Sequence, residues 1–423
     1  MPRINKIEAR EILDSRGNPT LEVDCFVGDS PAGGMGRFSV PSGASTGKYE
    51  ALEKRDNDLE RFGGRGVKEL ALRIEDEITP MLLNKDFDQK SLDNFLIEKD
   101  GTPNKSNFGA NVVLGLSMSF AKALAENTSL PFWKYIKNIS GKAENDEVKM
   151  PTPMINIING GIHADSGLDI QEFMIVPLKD ESLAEKIRKS DEVFQNLKLV
   201  LGAMSLSVAV GDEGGFAPKV ESHRRTLELI REAIRNAGFS LGEDFGIALD
   251  VAASQLLNSE NDYFMKSENR HFNREELLEY YQSLTNDFPI VSIEDPFAED
   301  DWEGNVAFTK KFGDKIIVVG DDLLVTNPRR LEEGIKKKAA NAILIKLNQI
   351  GTLSETLEVI KMARGANWQT VISHRSGETE DTSIDHLAVG TNSSYIKTGS
   401  LSRGERTAKY NELLRIEESL KNL

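Results

Sequence analysis

The chain has 423 residues, of which 39% are hydrophobic and 28% charged, and its formal net charge is -16. That composition excludes a disordered or fibrous chain and is enough for two or three domains, each with its own core. A surface this acidic repels phosphate backbones and anionic lipid, which argues against nucleic acid or a membrane as partner. A small anion remains open, because a few cations in a cleft reverse the local field. The single cysteine, Cys25, allows no intrachain disulfide and suits a reducing compartment. The opening MPRINKIEAREILDSRGNP has no apolar run of the signal-peptide kind, and no stretch is long enough to span a bilayer, so the expected location is cytoplasmic.

In chain order, IEAREIL and TLEVDCFV carry β-formers around the turn residues DSRGNP, which predicts a β-meander. Two helices are predicted next. Val67, Leu70, Ala71, Ile74, Ile78 and Leu82 share one face of the first, and the second runs from about Ala110 to Glu126, rich in small residues suited to close packing. The polar, glycine-containing SGKAENDEVK, Ser140 to Lys149, marks the expected domain boundary, giving an N-terminal α+β domain over residues 1–140 and a second domain over 141–423. Beyond it, short β-branched runs (GIALD, PIVSIED, KIIVVGDD, AILIK, TVISH, YIK) alternate with amphipathic helices such as REELLEYYQSL, PRRLEEGIKKKA and TLSETLEVIKMA. With PTPMINII and DIQEFMIVPL there are about eight strand candidates, so the alternation fits an α/β fold with a (β/α)8-type barrel better than a doubly wound sheet.

The chemistry is written at the strand ends. Successive runs end at Asp250, Glu294, Asp321, Lys346, His374 and Lys397, spaced 23 to 28 residues apart after a first gap of 44. In a barrel these ends converge on one face, where active sites are built. One charged residue at a strand end is ordinarily only solvated; six in succession describe a ring. Three carboxylates without cysteine or paired histidines favour a hard divalent cation, Mg²⁺ being the usual choice beside phosphate. A salt-bridge network with Lys346 and Lys397 fits less well, since three anions outnumber two cations. A lysine facing such a site acts as a base only when neutral, and neighbouring positive charge is expected to depress its pKa. The pattern points to proton abstraction next to a carboxylate, with metal offsetting the charge of the enolate.

GDEGG adds Asp212 and Glu213 among glycines, and QEF adds Glu172. Two neighbouring glutamates would raise at least one pKa and supply an acid for expelling hydroxide. SGASTGKY only imitates a P-loop: three residues separate its glycines and Tyr49 follows Lys48, where the motif needs four and a hydroxyl residue. FGGRGVKE fails the dinucleotide fingerprint, since it follows a charged helical segment rather than a strand.

DSRGNPT, VPSGASTG, NGGIHA, QEFMI, VGDEGG, SIEDP, GDDLLVTN, KLNQIG, SHRSGETED, IKTGS and RIEESL, in this order, make the chain resemble the enolase family over nearly its whole length. The resemblance implies an N-terminal α+β domain on a modified (β/α)8 barrel and the reversible, Mg²⁺-dependent dehydration of 2-phosphoglycerate to phosphoenolpyruvate in glycolysis. Carried over by position, Asp250, Glu294 and Asp321 resemble ligands of one Mg²⁺, and Ser42, in the loop PSGAST, a ligand of a second. Lys346 resembles the base for the C2 proton and Glu213 the acid for the C3 hydroxyl, with Glu172 and Gln171 supporting it. Arg375 and Ser376 resemble phosphate binders, Lys397 a ligand of the substrate carboxylate, and His163 and His374 further active-site groups. The glycines around Ser42 and before Ile162 are expected hinges.

Gln255 stands where many relatives have Glu, at no catalytic position. The resemblance also implies a two-fold homodimer, an octamer in some relatives, with Arg10 and Glu22 facing Arg415 and Glu417. Other readings are an acid-sugar dehydratase of the same superfamily, disfavoured by the phosphate-handling motifs, and a non-catalytic or moonlighting scaffold, which would not need an intact ring.

Overall fold

The computed structural model describes residues 2–28, 33–43, 47–141, 146–258 and 262–421. Strands β1 (Ile4–Leu13), β2 (Pro19–Val27) and β3 (Met35–Ser39) form the expected antiparallel meander. Its first turn is held by Asp14, whose Oδ1 accepts the backbone N–H of Arg16 at 2.8 Å and of Asn18 at 2.9 Å, the local bonding that makes DSRGN a turn. The helix Ala110–Asn127 packs across β2 and β3 and is buried along nearly its full length. The contact is backbone to backbone: a Cβ on Gly36 would stand 2.0 Å from Ser119 O.

The face predicted from Val67 to Leu82 is buried as expected, but the helix is not uniform. It runs Lys68–Arg73, widens over Ile74–Ile78 and ends with Thr79–Leu82. Pro80 has no N–H to continue the regular ladder, and the Thr79 N–H instead reaches Ile74 O, five residues back. Two further helices, Gln89–Asp100 and Phe132–Ile139, escaped the sequence reading.

The rest of the chain closes a barrel. Its strands are β4 (Thr152–Asn159), β5 (Glu172–Pro177) and β6 (Phe245–Asp250), then, beyond a small hairpin of β7 (Tyr263–Met265) and β8 (Arg270–Phe272), β9 (Ile290–Glu294), β10 (Ile317–Gly320), β11 (Ala342–Ile345), β12 (Gln369–Ser373) and β13 (Tyr395–Lys397). The barrel order is β4-β5-β6-β9-β10-β11-β12-β13, with β13 returning to β4. All neighbours are parallel except at β5, which is antiparallel to both β4 and β6. Two helices, Leu183–Ala203 and His223–Asn236, lie between β5 and β6, which accounts for the irregular start of the alternation. Met154, Met174, Val176, Ala248, Val319, Leu344 and Val371 fill the barrel interior, so it is a packed core and not a pore.

One apolar cluster runs from the meander through Phe120 and Ile136 to Leu347, Leu353 and Leu387 on the barrel side. Polar bonds reinforce that seam. Asp93 Oδ2 accepts the Ser354 N–H at 2.9 Å, at the start of the helix Leu353–Gly365, and Lys105 pairs with Glu355 at 2.6 Å. The groups expected to face a second copy have partners within this chain: Arg10 holds Glu22 and Asp24, each at 2.6 Å, Arg415 holds Glu412, and Glu417 accepts the Leu183 N–H. Among the described residues no helix is long and apolar enough to cross a membrane.

Candidate functional site

The reversal of β5 positions the site. Its first residue, Glu172, pairs with Asn159 and Asp250, the last residues of β4 and β6, so a strand beginning arrives where the other strands end. Asp250, Glu294 and Lys397 are last residues of their strands, while Asp321, Lys346 and His374 each follow by one. All are buried except Lys346, whose side chain is 14% exposed.

Lys397 is the hub. Its Nζ lies 2.8 Å from Asp250 Oδ2 and 3.0 Å from both Glu294 and Glu172. Lys346 Nζ donates to Asp321 Oδ2 at 2.5 Å, and Gln349 donates to Asp321 Oδ1 at 2.9 Å. Burial works against the Lys346 charge, but Asp321 outweighs it and the pKa is raised. The expected depression is therefore not met in this state, although Arg375 and Lys397 do push in that direction.

Glu213 sits opposite. Gly214 adopts φ +87°, and a Cβ there would stand 2.6 Å from Ser402 O; one on Gly211 would stand 2.7 Å from His163 O. Only glycines let this loop lie against both neighbours. Glu213 Oε2 accepts from Asn156 at 2.9 Å, while His163 Nδ1 and His374 Nε2 approach Oε1 at 3.4 and 3.5 Å. Burial alone would raise this carboxyl, but the two histidines and Arg406 hold it well below the usual range. Glu172 goes the other way: burial and the Glu213 charge push it well up, against the pull of Lys397. The prediction that one pKa rises is met at Glu172.

Arg375 donates to Glu50 at 2.9 Å and to Asn348 at 2.9 Å. Ser376 lines the same cavity as His163, Gln171, Glu172, Glu213, Lys346, His374, Arg375 and Lys397. Ser42 is brought only to the rim: its backbone pairs with Gly377, N to O at 2.8 Å each way, while its hydroxyl donates to Glu53 at 3.0 Å. The rest of its expected loop, Ala44 to Thr46, lies outside the described residues, as do residues 142–145 of the expected linker. Gln255 donates to Gln171 Oε1 at 3.1 Å, so this departure touches the site through one amide.

The sequence reading passed over Asn156, Asn159, Glu50, Asp295 and Arg406. Asp295 accepts the backbone N–H groups of Asp321 and Asp322 at 3.0 and 2.7 Å, fixing the end of β10. It stood in SIEDP beside Glu294, a visible signal; Arg406 had none.

The donors fit a hard cation. Asp250, Glu294 and Asp321 offer carboxylate oxygens held by the Lys397 and Lys346 ammoniums, and among the described residues Glu172 Oε2 is buried without a hydrogen-bond partner. His163, Glu172 and Glu213, and separately Asp295, Asp321 and Asp322, each place one ligand atom within 4.8 Å of the others. Such buried acidic groups are compatible with metal binding. Residues 147–423 match the family model described as enolase, C-terminal TIM barrel domain, and residues 4–136 the one described as enolase, N-terminal domain.

Proposed function

The chain belongs to the enolase family, and on that premise we propose that it is a phosphopyruvate hydratase, interconverting 2-phosphoglycerate and phosphoenolpyruvate. The observation that carries this reading is the opposition, across one small cavity, of Lys346 on one side and Glu213 with Glu172 on the other, with Arg375 and Ser376 at its wall. Lys346 Nζ takes the C2 proton, and the electron pair enters the substrate carboxylate. That pair then forms the C2–C3 double bond as the C3–O bond breaks, and the hydroxyl leaves as water with a proton from the Glu213 and Glu172 pair. Lys346 must first be neutral, which Arg375 and Lys397 favour once Asp321 is engaged elsewhere.

Asp250, Glu294 and Asp321 would hold one Mg²⁺, and Ser42 with the substrate phosphate a second. When bound, the ions supply the positive charge that makes a doubly negative carboxylate tolerable. Lys397 binds the substrate carboxylate, Arg375 and Ser376 its phosphate, and Gln171, His163 and His374 line the space and exclude water. The domains are read as 1–140 and 141–423, the assembly as a homodimer and the location as cytoplasmic.

The test mixes the protein with 2-phosphoglycerate and Mg²⁺ and follows phosphoenolpyruvate by ultraviolet absorbance. Turnover abolished by EDTA and cut about 10²–10⁴-fold in Lys346→Ala is expected. Absence of turnover in folded, Mg²⁺-supplied protein would overturn the reading.

A further inference from the structure

Arg406 lies near the start of the last helix, Gly404–Lys421, and is fully buried. Its guanidinium meets the Glu405 carboxylate through Nε at 3.4 Å, and its two terminal nitrogens are spent on the site. Nη1 donates to Arg375 O at 2.7 Å, and Nη2 to Ser376 O at 2.7 Å and Asp212 O at 3.0 Å. It thereby ties the loop carrying Glu213 to the loop carrying Arg375 and Ser376. The remaining contact is the informative one: Nη1 stands 2.6 Å from His374 Nδ1.

A guanidinium has donors only and does not lose its charge. At this distance the His374 atom facing it must therefore be a nitrogen lone pair. A protonated Nδ1 would oppose donor to donor, and a flipped ring would present a C–H. The one ring proton is left on Nε2, which faces Glu213 Oε1 at 3.5 Å.

We propose that Arg406 is a positioning residue that fixes His374 as the neutral Nε2–H tautomer, so that the histidine presents a donor, and not a lone pair, to Glu213. This rests on the reading of Glu213 as the group that exchanges a proton with the departing or incoming water. Asn156 donates to the other oxygen of Glu213 at 2.9 Å, and His374 Nε2, which makes no hydrogen bond in this state among the described residues, faces the near one at 3.5 Å. The opposite tautomer would set a lone pair against a carboxylate, and the acid would lose its alignment although no substrate contact had changed. Arg406 itself touches nothing in the reaction.

The test is a two-bond ¹H–¹⁵N correlation spectrum of the ¹⁵N-histidine-labelled full chain, with His374→Gln used only to assign the His374 signals. An unprotonated Nδ1 and a protonated Nε2 are expected; the reverse pattern, or an average of the two, overturns the proposal. Arg406→Lys, whose ammonium also only donates, should keep the pattern. Arg406→Met, if folded by circular dichroism, should lose it, with kcat down about 10- to 100-fold and KM nearly unchanged. Persistence of the Nε2–H form in folded Arg406→Met would also overturn it. If Arg406→Met does not fold, the unmodified protein and Arg406→Lys decide, since an Nδ1–H signal in either is fatal. Failure of the hydratase reading is separable: it appears as absent turnover in the unmodified protein, whatever the tautomer.

Discussion

The Lys397 ammonium stands 2.8 Å from Asp250 Oδ2, within the same ring of carboxylates that includes Glu294 and Glu172. A divalent cation held by Asp250 and Glu294 would answer the same charge as the lysine. Lys397→Met removes the ammonium that three buried acids share, and breaking such a network from one side costs about 3–5 kcal/mol. The expected outcome is a large drop in Tm in EDTA and a Mg²⁺-induced rise greater than in the unmodified protein, because the metal then replaces the missing charge. Thermal melts with and without Mg²⁺ check this; an unchanged Mg²⁺ response would refute the competition.

Lys346 and Asp321 form the second ammonium–carboxylate pair at the mouth, at 2.5 Å. Removing a general base costs typically 10²–10⁴-fold in rate, and Lys346→Ala is expected to fall in that range. Exchange of the substrate C2 proton with solvent should vanish together with turnover, and both are measurable on one sample. Exchange that persists would move the base elsewhere.

Much of this site was legible because a barrel puts the informative residue at the same place in each unit. The run from Asp250 to Lys397 needed only the period of βα alternation. What stayed hidden lacks periodicity. Glu172 was named from QEF, but its route through a reversed strand was hidden, since nothing in QEFMIVP states the strand direction. Arg406 acts from a helix start with a donor geometry that no spacing encodes. Which of the two carries the raised pKa was hidden for a related reason: Glu213 and Glu172 are alike in the sequence, and only the placement of His163, His374 and Lys397 separates them. In the N-terminal domain, the helix Gln89–Asp100 has charged residues on most of its faces and carries little periodic signal, so it was missed.

His223 yields a pH prediction remote from the chemistry. It is fully buried, and its Nε2 accepts the backbone N–H groups of Asp169 and Ile170 at 3.2 and 3.3 Å, while Nδ1 meets the Tyr280 hydroxyl at 2.8 Å. Ser267 and Glu268 complete its surroundings. Burial pushes its pKa down to about 4 from 6.5, despite the pull of Glu268 and Asp169. The unfolded chain therefore binds this proton first as pH falls. The stabilisation by neutral His223 is complete above pH ~6.5 and is lost as pH drops toward 4, an effect on the order of 3 kcal/mol. Urea unfolding across this window should show that decline, and His223→Gln should flatten it. An equally steep decline in the variant would assign it to other groups.

Gly377 joins the two halves of the site, since its backbone pairs with Ser42 across the domains. A Cβ there would stand 2.7 Å from Ser42 O, 2.5 Å from Asp14 Oδ2 and 2.8 Å from Arg16 Nη2. The carbonyl cannot yield without breaking the pairing, so Gly377→Ala should push the Ser42 segment away from the barrel mouth. The barrel core lies elsewhere, and the stability loss is expected to stay within the ~1–3 kcal/mol of an overpacked site. Substrate capture should suffer more distinctly: KM for the phosphorylated substrate is expected to rise about tenfold, equivalent to ~1.4 kcal/mol of binding, with kcat affected less. Steady-state kinetics beside a urea titration separate the two effects, and a variant that loses stability while keeping its KM would show that this pairing is structural only.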